Sequence, residues 1–118
     1  MGMPITTLPP ESEAGFQRVV IDLARRCGWV VAHFRASLAR SGKWATAVQG
    51  DGAGFPDLVL VHPCWHQTLF VELKSERGRV RPEQELWLEA LREAGQQAMV
   101  WRPSMWGVIE QTLMGGGQ

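Results

Sequence analysis

The chain has 118 residues, 45% of them hydrophobic, with 12 basic residues against 12 acidic ones and a formal net charge of zero. That length gives one domain with a core large enough to fold alone, and no room for a second module. No apolar run approaches the length of a membrane span and no basic-then-apolar leader opens the chain, so it reads as soluble and cytoplasmic. Residues 1–10 carry Pro4, Pro9 and Pro10 without periodicity and read as a flexible arm before a domain over 11–114, with 115–118 as a loose tail.

Ser12 is a good N-cap for a helix through Arg26, closed by Cys27-Gly28. Phe16, Val19, Val20, Leu23, Ala24 and Cys27 fall on one arc of it, and Arg18, Asp22 and Arg25 lie opposite. Trp29 to Phe34 reads as the first strand, followed by a long Gly-rich basic connection from Ala36 to Gly54. Gly50-Asp51-Gly52-Ala53-Gly54 has no helix behind it and Ser41-Gly42-Lys43 lacks the rest of a phosphate-binding motif, so no nucleotide site is expected. Leu58–Val61 and Leu69–Lys74 form a hairpin that turns at Pro63–Gln67. Pro82 opens a second helix that Gly95 ends, Ala98–Trp101 is a fourth strand, and Ser104 caps a short last helix. The third and fourth strands, joined through a helix, should run parallel by a right-handed crossover. The class is α/β: a mixed sheet in αβββαβα order with helices on its faces.

Gly54-Phe55-Pro56-Asp57 places one carboxylate at the mouth of an apolar strand, and Glu72-Leu73-Lys74 places a second carboxylate and a lysine on the next. Alternation puts Glu72 and Lys74 on one face, about 6.6 Å apart, while Leu73 turns away. If the strands pair, Asp57 approaches that face. Each half also has a bland reading, since Pro-Asp opens many turns and Glu-x-Lys is often a solvated pair. Charges at the end of an otherwise buried apolar strand need partners, however, and two carboxylates sharing a hard divalent cation beside an ammonium suit phosphodiester hydrolysis.

This spacing resembles the PD-(D/E)xK nuclease superfamily, and the Gly-Phe-Pro-Asp-Leu form with its flanking helices resembles the VRR-NUC family of virus-type replication and repair nucleases. The resemblance implies a restriction-endonuclease-like fold and a metal-dependent deoxyribonuclease. Asp57, Glu72 and the Leu73 carbonyl would hold Mg²⁺ or Mn²⁺, and Lys74 would serve the attacking water. It also implies that Glu13, on the first helix, reaches the metal site directly or through water, with Gln17 one turn on. Read from helical spacing alone, Glu13 lies on the core-facing arc, where helping the helix dipole or hanging over the core rim are equally open. Gln84 projects between Leu88 and Leu91, and a buried amide there needs partners that a carboxylate site supplies. The resemblance makes it an orienting residue.

Zero net charge hides an uneven distribution. Arg35, Arg40 and Lys43 lie in a stretch without acids, and Arg77, Arg79 and Arg81 follow Lys74 with only Glu76 among them. These six are the candidate contacts to a DNA backbone, against a reading as ordinary surface charge. Trp44, next to Lys43, is the better candidate of the two loop tryptophans, Trp44 and Trp65, to stack on a base. His33 has a reading in phosphate binding or proton transfer and an equal one as a satisfied strand residue. His62, Cys64 and His66 are read as turn residues, with zinc as the alternative, and Cys27 and Cys64 as free thiols.

The function the resemblance implies is a DNA endonuclease acting on branched or duplex DNA, such as four-way (Holliday) junctions, in phage or bacterial replication, recombination or repair. A homodimer would supply two sites for paired cuts, and the 6 tryptophans offer interface material. The alternatives are a restriction- or nicking-type nuclease of the same fold and a non-catalytic DNA-binding module.

Overall fold

A computed structural model describes residues 12–34, 37–38, 44–45 and 50–115, the two short pairs by their backbone alone. Helix α1 (Glu13–Arg26) starts where the sequence places it, with the Ser12 hydroxyl accepting the Gly15 N–H at 3.2 Å. Its residues Phe16, Val20 and Ala24, spaced four apart, are fully buried. Four strands make the main sheet in the order β1 (Val30–His33), β4 (Leu58–His62), β5 (Gln67–Leu73), β6 (Gln97–Trp101). The first two pairings are antiparallel and the last is parallel. The parallel pair is joined by α2 (Pro82–Glu93), as the crossover argument requires.

Alternation along β4 and β5 sorts the sheet into two faces. Leu58, Leu60, Leu69, Val71, Leu73 and Trp101 point to one face and bury against α1 and α3 (Trp106–Leu113), through Phe16, Val20, Ile109 and Leu113. Each of these side chains contributes roughly 1.5–3 kcal/mol of burial. Trp29 joins this layer and donates its indole N–H to the Leu113 carbonyl at 2.9 Å, tying the last helix to the first strand. The opposite face carries Val59, Phe70 and Glu72 and receives α2. Glu72 therefore emerges where the sheet's second face meets the start of that helix.

Two expectations are corrected. The connection after β1 is not unbroken: β2 (Ser37–Leu38) pairs antiparallel with β3 (Trp44–Ala45). Two-residue strands leave no periodicity to detect in sequence. Ser104 does not cap the last helix. It sits inside a 3-10 turn, Pro103–Met105, and α3 begins at Trp106 with no side-chain cap. The Ser104 N–H is instead used by Glu76, at 3.0 Å.

Candidate active site

Asp57 precedes β4 and is held through its side chain and its backbone. Its Oδ2 accepts the Leu73 N–H of the neighbouring strand at 2.9 Å, and its carbonyl accepts the Phe34 N–H at 2.8 Å. The loop before it is packed down. Phe55 meets Phe34, Phe70 and Trp87 edge-to-face, with ring centroids 5.2, 6.3 and 5.0 Å away. The Trp87 indole N–H donates to the Asp51 carbonyl at 2.8 Å, fastening the loop to α2. Gly54 is required on two counts: its φ is +87°, and a Cβ would lie 2.5 Å from the Glu83 carbonyl oxygen.

Glu72, on β5, is only 2% exposed. Its Oε2 accepts the Gln84 side-chain N–H at 2.8 Å and faces the Lys74 ammonium at 3.5 Å. Gln84 is buried too, and its Oε1 accepts the Arg81 N–H at 2.8 Å, so the start of α2 fixes the amide that fixes the acid. Lys74 is buried, and its own N–H donates to the Trp101 carbonyl at 3.0 Å. Asp57, Glu72, Lys74 and Gln84 thus form one connected group. One atom in it meets no N–H or O–H donor: Glu72 Oε1 is buried, and only a proton shared between the acids bonds Glu72 to Asp57.

Burial pushes the Glu72 carboxyl up to about 8, the Asp57 charge adds to the rise, and Lys74 pulls against it. Burial also raises Asp57, against the Leu73 N–H, the Glu72 hydrogen bond and the charges of Lys74 and His33. Two desolvated carboxyls at contact distance cannot both ionise easily, so without a cation the pair keeps a proton near neutrality. A hard divalent cation fits this donor set: two carboxylates, a buried carboxylate oxygen with no partner, and a lysine beside them. Among the described residues no group of three or more His, Cys, Asp or Glu could hold a metal, so backbone, water or phosphate oxygens would have to complete the shell.

The sequence profile of the VRR-NUC domain matches residues 17–105. The chain belongs to the VRR-NUC family. It has a nuclease-type, DNA-processing fold. A solved structure of a VRR-NUC domain superposes with a TM-score of 0.60 at 23% identity, covering 85% of this chain and 92% of the other. A comparison with curated proteins finds no match.

Asp57, Glu72, Lys74 and Gln84 all lie inside the VRR-NUC match, and Glu13 lies outside it. Glu13 is exposed on the first turn of α1 and does not join the carboxylate pair, contrary to its expected core-facing direction. The reason is its place in the helix: no turn precedes it, and helical side chains tilt toward the N-terminus, here beyond the packed layer. Gln17 is half-buried. His33 is half-buried opposite Leu58, near enough for its charge to bear on Asp57.

Arg77 and Arg79 are exposed on the loop after Lys74, whereas exposed Arg81 pairs with Glu83 at 2.9 Å. Arg35, Arg40, Lys43 and the Trp44 ring lie outside the described residues. One face of the half-buried Trp65 ring is already taken: it lies on His62, 3.7 Å between centroids and nearly parallel. His62 is no turn residue but the buried end of β4, donating Nε2–H to the Cys27 carbonyl at 2.9 Å. Cys27 and Cys64 are free thiols. Sequence reading missed Phe55 and Trp87 as anchors of the Asp57 loop, and missed Arg102. An aromatic between Gly54 and Pro56 was the available signal for the first. A lone arginine before a proline carries none.

Proposed function

We propose that this VRR-NUC protein is a Mg²⁺- or Mn²⁺-dependent DNA endonuclease acting on branched DNA, including four-way junctions. The observation that carries the reading is the buried, unpartnered Glu72 Oε1 beside Asp57 and Lys74. Asp57, Glu72 and the Leu73 carbonyl would hold the cation. Bound there, it supplies positive charge to a phosphoryl oxygen and makes water a better nucleophile at neutral pH. Lys74, an ammonium beside Glu72, orients the attacking water and offsets charge developing on the phosphorus centre, while the water's proton passes to solvent. Gln84 holds the Glu72 carboxylate in one rotamer and touches no substrate. Arg77 and Arg79, with Arg35, Arg40 and Lys43, contact backbone phosphates.

A homodimer acting in the cytoplasm of a bacterial or phage-infected cell gives two sites for the paired cuts a junction needs. In the described residues no helix is long and apolar enough to cross a membrane. The test is a panel of labelled linear, nicked, flap and four-way DNAs with Mg²⁺ or Mn²⁺, together with light scattering. Metal-dependent cleavage that favours branched substrates, by a species of twice the chain mass, is expected. Absence of cleavage in either metal would overturn the nuclease reading in favour of a binding module. A monomeric mass with uncoupled nicks would overturn the dimer.

A further inference from the structure

The loop from Ser75 to Arg81 joins two members of the active-site group, Lys74 and Gln84, and carries Arg77 and Arg79 into solvent. Seven residues with a glycine and no secondary structure would ordinarily move freely. This loop is pinned from outside. One nitrogen of Arg102, Nη1, donates to the carbonyls of Gly78 at 2.7 Å, Ser75 at 2.8 Å and Glu76 at 3.3 Å. Three carbonyl dipoles converging on one point repel each other, so only a cationic donor keeps the turn in this shape.

A second tie lies two residues on, where the Ser104 N–H donates to the Glu76 carboxylate at 3.0 Å. The Ser104 hydroxyl and N–H hold that carboxyl below its ordinary range. The turn is also closed within itself: the Gly78 N–H donates to the Ser75 carbonyl at 3.2 Å, and a Cβ on Gly78 would stand 2.9 Å from the Ser75 hydroxyl. Lys74 and Trp101, immediately before the pinned turn and the pinning arginine, are themselves joined backbone to backbone at 3.0 Å. The anchor is thus continuous with the strand pair that carries Lys74.

We infer that Arg102 is a positioning residue for DNA: it shapes the 75–81 loop into a fixed arm that presents Arg77 and Arg79 to backbone phosphates at a set distance from Lys74. The inference rests on the nuclease reading for its substrate. Arg102 acts through the loop, to which its Nη1 is committed by three carbonyls. A pre-shaped arm binds phosphate without first paying the ordering entropy of a free loop.

The experiment is a double-mutant cycle on the full chain. Binding of a fluorescein-labelled four-way junction is read by anisotropy in Ca²⁺, and initial cleavage rates are read in Mn²⁺. Arg77→Ala combined with Arg79→Ala should weaken binding on the order of tenfold and flatten its salt dependence. Arg102→Ala should raise Kd and KM by a similar factor while kcat stays within about twofold, the split expected when only binding is lost. In the Arg77→Ala/Arg79→Ala background, Arg102→Ala should add nothing further. Arg102→Lys should recover part of the loss, since an ammonium carries three donors for three carbonyls.

Glu76→Ala and Glu76→Gln, at an exposed position, keep the test open if Arg102→Ala does not fold. Both remove the same charge, but only glutamine can still accept the Ser104 N–H, so the alanine variant should bind less tightly. Additive losses would show Arg102 meeting DNA itself, and unchanged Kd in Arg102→Ala would show the arm needs no anchor. Unchanged Kd in the Arg77→Ala/Arg79→Ala chain would remove the arm. Each of these overturns the inference. A wild-type chain that binds but does not cleave sinks the nuclease reading alone, because the binding cycle still decides the role of Arg102.

Discussion

The β4–β5 hairpin has a buried polar side chain at each end, and each has one atom without a hydrogen bond: His62 Nδ1 at the turn and Glu72 Oε1 at the open end. The two are not equivalent. His62 gives Nε2–H to the Cys27 carbonyl, and its ring lies between Trp65, stacked, and Trp29, edge-on at 5.1 Å. Its Nδ1 is buried in an aromatic slot. Glu72 has a second acid beside it, a lysine facing it and an amide aimed at its other oxygen. A lone orphan atom among rings is packing. An orphan atom among charges is where the proposed cation would bind.

The largest expected effects separate the ends by what they damage. Asp57→Ala, Glu72→Ala and Lys74→Ala should each lower cleavage by orders of magnitude while circular dichroism stays near wild type, and DNA binding should hold or tighten for the two acids. His62→Ala should do the reverse, losing roughly 2–5 kcal/mol of stability by opening a cavity between two tryptophans while leaving kcat alone. A His62 variant with normal stability and lost activity would erase the contrast.

Glycines sharpen it further. Gly54 and Gly28 both have positive φ, +87° and +94°, and both stand against a neighbour that an added Cβ would press: the Glu83 carbonyl at 2.5 Å and His62 Nε2 at 3.0 Å. Either alanine should lose at least about 1–2 kcal/mol from the backbone alone. Only Gly54→Ala displaces the loop that carries Asp57, so only it should also drop cleavage, on the order of 10²-fold for a shift near 1 Å. Equal activity in the two variants, measured at a temperature where both are folded, would count against the loop as a positioning device.

The pH response should come from the acid end. A carboxyl whose pKa is higher in the fold than in the unfolded chain stabilises the fold while protonated. That contribution is lost as pH rises through the folded value, here from the ordinary glutamate range to about 8 for Glu72. Without metal, thermal melts should therefore fall across that window, and added Mg²⁺ should raise the melting temperature more at pH 8 than at pH 6. In Glu72→Gln both trends should flatten. A metal effect independent of pH would contradict the shared proton. The smallest effect belongs to Glu13→Gln: loss of a favourable dipole contact, at most about 1 kcal/mol, with kinetics unchanged across a Mn²⁺ titration. A loss of rate recovered by Mn²⁺ would bring α1 back to the site.

What could be read beforehand follows the same division. That Asp57, Glu72 and Lys74 come together was legible because charges on and beside buried apolar strands break their pattern, and Gln84 because an amide interrupts an apolar helix face. The helix, hairpin and crossover were legible because periodicity and the capping and turn residues agreed. Glu13 misled because helical phase says which side a residue faces but not whether anything packs there at the first turn. His62 was hidden because a histidine before a Pro-Cys-Trp-His turn looks like part of the turn until Trp29 arrives from the link between α1 and β1. Ser104 and Arg102 were hidden because their partners, 26 to 28 residues away for Glu76, meet them only after β5 and β6 pair in parallel.

The bond from the Leu73 N–H to Asp57 Oδ2 does more than hold a carboxylate. It connects a backbone amide, visible one residue at a time by nuclear magnetic resonance, to the group that would take up or release a proton as a cation arrives. The proton chemical shift of the Leu73 amide is thus an internal gauge of the site's charge state. It can be read in the intact protein without a label, a substrate or a mutation.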